Sequence, residues 1–300
     1  MEKELLFREK EIKKVLLIVF SLHLLIAALK VTVGFQFHYV SLVSSGLDSL
    51  FDCASNFLAL ISIYFAFKPA DPGHNYGHYK FETLGSLSIG VLILFSGIQF
   101  LLSLSIFGNQ PLESPIFGIF PLASVFISTI VSFFISKYEG KKGKELGSSI
   151  LISDSTHTYG DFVIGLGVLF SLICSYFKVF WVDILVGGSI CLYLFVLGIT
   201  ILKKNLPELL DGSPIIEGEL IKKVEEIEHI KDIHRFRARG NQNCMFVDFH
   251  LLLDEDLSLK EAHKIGHDAE SMIKALLERY ARKIDVTVHV EPYEENHLDD

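Results

Sequence analysis

SSGLDSLFDCASN (residues 44–56) puts two aspartates, Asp48 and Asp52, four residues apart inside an apolar run from about 40 to 66. On a helix that spacing sets both carboxylates on one face, one turn apart. SDSTHTYGDFVIG (153–165) repeats the arrangement further along, with His157 and Asp161 four apart and Asp154 one turn before His157, inside a second apolar run from 147 to 175. Neither run contains Lys or Arg. An ionised Asp at mid-bilayer costs about 3 kcal/mol even on the lenient scale. Three or four left uncompensated would cost about 10 kcal/mol, as much as the whole stability of many domains. A divalent metal offsets that charge, and so do protons. Two helices that each present such a pair can build a tetrahedral site of three oxygens and one nitrogen, which suits Zn2+.

Outward from these two runs lie four more, giving apolar segments at roughly 14–36, 40–66, 81–107, 115–137, 147–175 and 181–203. Residues 83–112, 114–136 and 184–202 hold no Asp, Glu, Lys or Arg, and a bilayer core needs about 20 apolar residues in one helix. Half of the 300 residues are hydrophobic, only 21% are charged, and the net charge is −9; a soluble protein carries about 25% charge. A purely soluble protein, a disordered chain, a collagen and a small disulfide scaffold are all excluded. The four cysteines form no CxxC pair, so no disulfide framework is expected. The opening MEKELLFREKEIKK is mixed in charge and no small-residue cleavage site follows the next apolar run, so no removable signal peptide is expected. Lys30, inside the first segment, can snorkel if it lies near an interface, and His23 and His38 are expected to be packing or interfacial residues.

Positive charge clusters before the first segment (Lys3, Arg8, Lys10, Lys13, Lys14), between the second and third (Lys68, Lys80), between the fourth and fifth (Lys137, KKGK at 141–144) and after the sixth (Lys203, Lys204). By the positive-inside rule both termini face the cytoplasm, and the chain is expected as a multi-pass protein of the cell (inner) membrane.

From Glu208 onward there are 12 Lys/Arg against 22 Asp/Glu, while residues 1–207 hold 15 against 14. Seven of the 12 histidines also follow Glu208. Such an acidic tail disfavours nucleic acid, whose phosphates it repels, and suits a cation. Its pattern reads as αββαβ: a helix over 213–230, strands over 233–240 and 244–253, a helix over 258–280 with a Ser-x-x-Glu capping box, and a strand over 283–292. That order predicts a small antiparallel sheet with helices on one face. The expected domains are 1–207, a membrane all-α six-helix bundle; 208–293, a cytosolic α+β metal-binding and dimerisation domain; and 294–300, a tail.

SGLDSLFDCASN, the loop PADPGHNYGHYKFE (69–82) and HTYGD (157–161) together resemble the cation diffusion facilitator family, especially its bacterial zinc and ferrous-iron efflux members, over about residues 10–292. The resemblance implies a homodimer with six transmembrane helices per subunit, a metallochaperone-like cytosolic domain, and exchange of a divalent cation for protons. It implies a transport site of Asp48, Asp52, His157 and Asp161, with Asp154 in support. A histidine in the fifth helix fits the zinc-type pattern, whereas the manganese type has aspartate there. It also implies a loop site of Asp71, His74 and His78; a Pro/Gly turn with surface histidines is the plain alternative. In the tail it implies a metal site between subunits, made by His234 in KDIHRFR, His250 in VDFHLLL, His263 in KEAHKIG, and His289 with Glu291 in VTVHVEP, where the family commonly has Asp in place of Glu291. Lys80 and Asp211 match a charge pair that acts as a hinge between the two domains. His229, His267 and His297 match nothing and are expected at the surface.

Zn2+ is therefore the expected cargo and regulatory ligand, and Fe2+, Co2+, Cd2+ and Mn2+ are the alternatives. The chain carries no HExxH, Gly-x-Ser-x-Gly or phosphate-loop motif, so no enzyme activity is expected. A membrane metal sensor that binds without transporting is the rival from another class. A channel fits less well, because a dehydrating four-ligand site binds too tightly for rapid flow.

Overall fold

The computed structural model describes residues 2–36, 40–107, 119–177, 179 and 181–293. It divides into two compact units, Met1–Leu206 and Pro207–Asp300.

The first unit is built from six long helices: α1 (Glu2–Gln36), α2 (Val40–Ala66), α3 (Lys80–Phe107), α4 (Ile119–Leu146), α5 (Ser149–Tyr176) and α6 (Trp181–Leu209). Four of them carry stretches long and apolar enough to cross a bilayer: Leu6–Thr32, Lys80–Ile98, Leu122–Leu146 and Leu185–Leu209. Among the described residues, α2 and α5, the two that carry the paired acids, show no such stretch. In α2 the described apolar stretch, Asp52–Ala66, is shorter. Ile12, Leu16, Ile63, Ile89, Ile93, Ile150 and Leu151 are fully buried between the helices. Leu25, Phe95, Phe134 and Leu192 point outward and are more than half exposed. Backbone polar groups satisfied inside helices, together with an apolar exterior, are what a bilayer demands.

Two helices outrun their apolar runs. α1 starts at Glu2, before the run at 14, and α4 continues through KKGKEL to Leu146. Hydrophobicity sets where a chain meets lipid, not where a helix stops. The polar turns are held by ion pairs along the helix, Glu9 with Lys13 and Lys142 with Glu145.

The α4–α5 turn is sharp. Gly147 takes φ +59 and Ser148 N–H donates to Gly143 O at 2.9 Å. Helix ends leave carbonyls unpaired, and here a buried side chain from α1 takes them. Arg8 Nε donates to Leu146 O at 2.6 Å and Nη2 to Gly147 O at 3.1 Å. The same Nη2 lies 3.0 Å from Glu82 Oε2 on α3, and Phe67 packs against the guanidinium with its ring centroid 5.0 Å away. One buried Arg thus ties α1, α3 and the α4–α5 turn together. Gly165 lets α5 pack closely on α4, since a Cβ there would lie 2.2 Å from Thr129 Oγ1.

The second unit contains α7 (Gly218–Val224), β1 (Ile230–Gly240), β2 (Cys244–Leu253), α8 (Leu259–Leu277) and β3 (Lys283–Pro292). The element order is as expected, but the sheet is mixed. The strands lie in the order β1-β2-β3, β1 and β2 antiparallel, β2 and β3 parallel. The reason is α8: β2–α8–β3 is a crossover, which returns the chain to the same end and makes the third strand parallel. β2, in the middle, is buried along nearly its whole length. The capping box of α8 is formed, with Glu261 N–H donating to Ser258 Oγ and Ser258 N–H donating to Glu261 Oε2. The first helix is far shorter than 213–230. Ile216 is 89% exposed, Leu220 and Val224 are the buried residues of α7, and His229 at φ +71 ends any helical path before β1. The β1–β2 turn depends on Gly240 at φ +114, where a Cβ would meet Cys244 O at 2.1 Å.

Candidate metal centres

In the first unit α2 and α5 bring Asp52, His157 and Asp161 together. Their ligand atoms all lie within 4.8 Å of one another. His157 Nε2 is 4.0 Å from Asp52 Oδ1 and 3.8 Å from Asp161 Oδ1. All three side chains are half-buried. The i,i+4 spacing stacks His157 over Asp161 on one face of α5, and packing in the bundle brings that face to Asp52. Oxygens and an imidazole nitrogen about 4 Å apart are a little wide for direct contact, and a cation about 2 Å from each fits between them. Asp48 lies on α2 one turn before Asp52; its side chain is outside the described residues.

Asp154 is fully buried, facing Glu139 on α4, which is also fully buried. Thr158 Oγ1 donates to Glu139 Oε2 at 3.4 Å, while Glu139 Oε1 and both Asp154 oxygens lack a hydrogen-bond partner among the described residues. Glu139 escapes sequence reasoning because it sits in the charged YEGKKGKE stretch and resembles a surface residue. Of the α1 residues, Lys30 is buried instead of reaching an interface, with Nζ 3.2 Å from Ser49 Oγ on α2, while His23 is a buried packing residue on the same helix, in line with expectation. Their seven-residue spacing, two turns on one face, was the signal. His38 lies outside the described residues.

The α2–α3 loop folds around Asp71. Its Oδ1 accepts from the backbone N–H of Gly73 and His74 at 2.9 and 2.8 Å, and Gly77 turns the chain at φ +84. His74 Nδ1 is 3.1 Å from Asp71 Oδ1, His78 Nε2 is 3.4 Å from Asp71 Oδ2, and the two rings lie 4.3 Å apart. The hydrogen bond from His74 holds the Asp71 carboxyl below its ordinary value. His78 Nδ1 faces Pro69 O at 3.1 Å. A carbonyl only accepts, so Nδ1 donates there and Nε2 is the ring nitrogen turned toward Asp71. Two imidazoles and a carboxylate gathered in this way offer a ligand set for a cation.

In the second unit His234, His250 and His289 share one register level across β1, β2 and β3. Register partners in a sheet project from the same face. The ring centroids are 5.0 Å apart for His234–His250 and 4.7 Å for His250–His289. Glu291, two residues beyond His289, reaches all three imidazoles. Its carboxylate is 2.9 Å from His250 Nδ1, 3.1 Å from His289 Nε2 and 3.5 Å from His234 Nε2. The longer glutamate spans this gap. A β-bulge follows His234, with Arg235 at φ +51, a device that re-aims a strand side chain. His263 is not in this cluster; on α8 its ring packs against His267 at 4.5 Å. Asp211 lies 3.7 Å from Arg239 Nη1 within its own unit, and Lys80 is the first residue of α3. His229 is exposed and 3.0 Å from Asp254, and His297 is outside the described residues.

Comparison with known proteins matches both units. The cation efflux transmembrane domain matches residues 16–210, and the cytoplasmic domain of cation efflux proteins matches residues 213–293. The manganese efflux system protein MneS of Bacillus subtilis is 26% identical over 286 residues, 93% of this chain and 95% of its own. A second manganese efflux system protein of that organism, MneP, is 25% identical over 297 residues, 95% and 98% of the two chains. The cation-efflux pump FieF of Shewanella oneidensis is 29% identical over 260 residues, 84% of each chain. With family models covering nearly the whole length, and a membrane unit followed by a small mixed-sheet unit, the chain is a membrane protein that belongs to the cation efflux family, the cation diffusion facilitators.

Proposed function

We propose that this chain exports a divalent metal, Zn2+ foremost, from the cytoplasm in exchange for protons. The convergence of Asp52, His157 and Asp161 from two helices carries the reading. All six long helices cross the membrane, α2 and α5 included, because Asp52 of α2 and His157 and Asp161 of α5 turn toward one another. Asp48, one turn from Asp52, is the fourth ligand. Both termini and the second unit face the cytoplasm of the cell (inner) membrane.

The cycle is alternating access. The acidic second unit, net −10 from Glu208 onward, raises the local concentration of cations. Asp48, Asp52, His157 and Asp161 replace the water of the incoming ion. The bundle rocks and the site opens outward. Protons then compete for the same groups, since imidazole binds metal only when neutral, and the protonated site returns inward. Asp154 supports His157 from one turn away. The Asp71, His74 and His78 loop binds a second ion more loosely at the cytoplasmic mouth.

Two subunits form the working unit. His234, His250, His289 and Glu291 offer three nitrogens and a carboxylate, a set that suits Zn2+, with His263 reaching across the subunit interface. Metal there draws together two acidic domains that otherwise repel.

A second reading makes Mn2+ the cargo. It is supported by the two manganese efflux relatives and opposed by the imidazole of His157, which suits zinc better than the all-oxygen sets hard cations prefer. Metal uptake into proteoliposomes, with and without a pH gradient and with Zn2+, Mn2+, Fe2+, Co2+ and Cd2+ compared, tests the proposal. Gradient-driven zinc uptake lost in Asp52→Ala is expected. Zinc binding without uptake points to a sensor, and uptake that ignores both gradient and mutation overturns the mechanism.

A further inference from the structure

α1 carries a buried cation that meets α2 one turn from Asp52. Lys30 is only 8% exposed, while Leu29 and Leu25 on other faces of the helix are 50% and 65% exposed. A lysine in an apolar helix ordinarily extends its stem toward water. This one points between helices, with Nζ 3.2 Å from Ser49 Oγ. Ser49 lies three residues before Asp52 on α2, and Lys30 acts electrostatically on the Asp52 carboxylate together with His23. A buried ammonium needs compensating charge nearby, and the Asp52 carboxylate, one turn along α2 from Ser49, lies within its electrostatic reach.

We propose that Lys30 is the resident counter-cation of the transport site, a positioning residue that compensates the α2 carboxylate between cargo ions and weakens the site's hold on each ion. The inference rests on the reading of Asp52, His157 and Asp161 as that site. A fixed positive charge does two things there. It stabilises the empty arrangement, so the helices do not splay under carboxylate repulsion. It also repels a divalent ion beside it, and in a partly dry bundle such repulsion is strong. An exporter gains from this, because a site that grips too tightly cannot discharge. Without the ammonium the carboxylates are left to the metal alone, and binding tightens at the expense of release.

The test is zinc uptake into proteoliposomes made with the full chain, comparing wild type, Lys30→Met, Lys30→Gln, Lys30→Arg and Asp52→Asn. In Lys30→Met, KM and kcat both fall, each by about tenfold, while Lys30→Arg keeps wild-type values because the charge is kept. A residue that only filled space would lower stability without moving KM in this direction. An unchanged or raised KM in Lys30→Met overturns the inference, and so does a Lys30→Arg change as large as that of Met. If Lys30→Met does not fold, Lys30→Gln carries the same test. Wild-type transport by Asp52→Asn would sink the underlying site instead. Loss of transport there with an unmoved KM in Lys30→Met defeats the counter-cation alone.

Discussion

Arg8→Met should destabilise the membrane unit more than most single changes in it, and a second substitution should undo much of the damage. Arg8 and Glu82 are 3% and 2% exposed and 3.0 Å apart, and the guanidinium also serves Leu146 O and Gly147 O. Removing one partner of a buried pair strips the other charge of a close counter-charge, and such changes cost about 3–5 kcal/mol. For a unit of this size each kcal/mol lowers the melting temperature by about 2–4 °C, so Arg8→Met should lower Tm by about 6–20 °C. Replacing both partners with apolar groups of similar volume is often near neutral. The double variant Arg8→Met with Glu82→Leu should therefore recover most of the loss, short of what the two bared carbonyls cost. Thermal unfolding of the detergent-purified chain, followed by intrinsic fluorescence, reads all four corners of the cycle. A shift under about 2 °C for Arg8→Met, or a double variant as unstable as the summed singles, would refute the argument.

Glu139→Gln should raise Tm, because its amide can donate to the unpartnered Asp154 carboxylate and one buried charge disappears; an unchanged or lower Tm speaks against a true carboxyl–carboxyl contact. Gly165→Ala should cost about 1–3 kcal/mol by driving a Cβ into Thr129, and Thr129→Ala should relieve most of it in a thermal-melt cycle. The His74 hydrogen bond lowers the Asp71 carboxyl, so the loop's stabilisation is fully present above the ordinary carboxylate range and lost only as pH falls through the lowered value. An NMR titration of the Asp71 carboxyl carbon should accordingly show a midpoint below 3.8, and a midpoint above it contradicts the turn geometry. Glu291→Ala should weaken zinc binding by the cytosolic cluster by at least about tenfold, measured calorimetrically on the full chain; undiminished affinity would remove Glu291 from the site.

The paired acids were legible because an i,i+4 repeat in two apolar runs has few explanations. The tail strands were equally clear, since KIDVTVHVEP and CMFVDFHLLL alternate or stay apolar between clear stops. The errors concern relations that pattern does not encode. The parallel pairing of β3 follows from the crossover through α8, which the element order contained but the antiparallel reading overlooked. The helix expected over 213–230 had the right spacing, yet Ile216 never reaches the core. The burial of Lys30 and of Glu139 is hidden in the sequence for one reason. A charge in a helix is read as solvent-facing until the helix that packs against it is known, and their partners lie far off in sequence on α2 and α5.

The most direct measurement is anomalous diffraction at the zinc edge from crystals of the chain soaked in zinc. The account predicts a peak between α2 and α5, about 2 Å from Asp52, His157 and Asp161, besides any peaks at the Asp71 loop and at Glu291. Peaks at those two outer positions with none between α2 and α5 would contradict it.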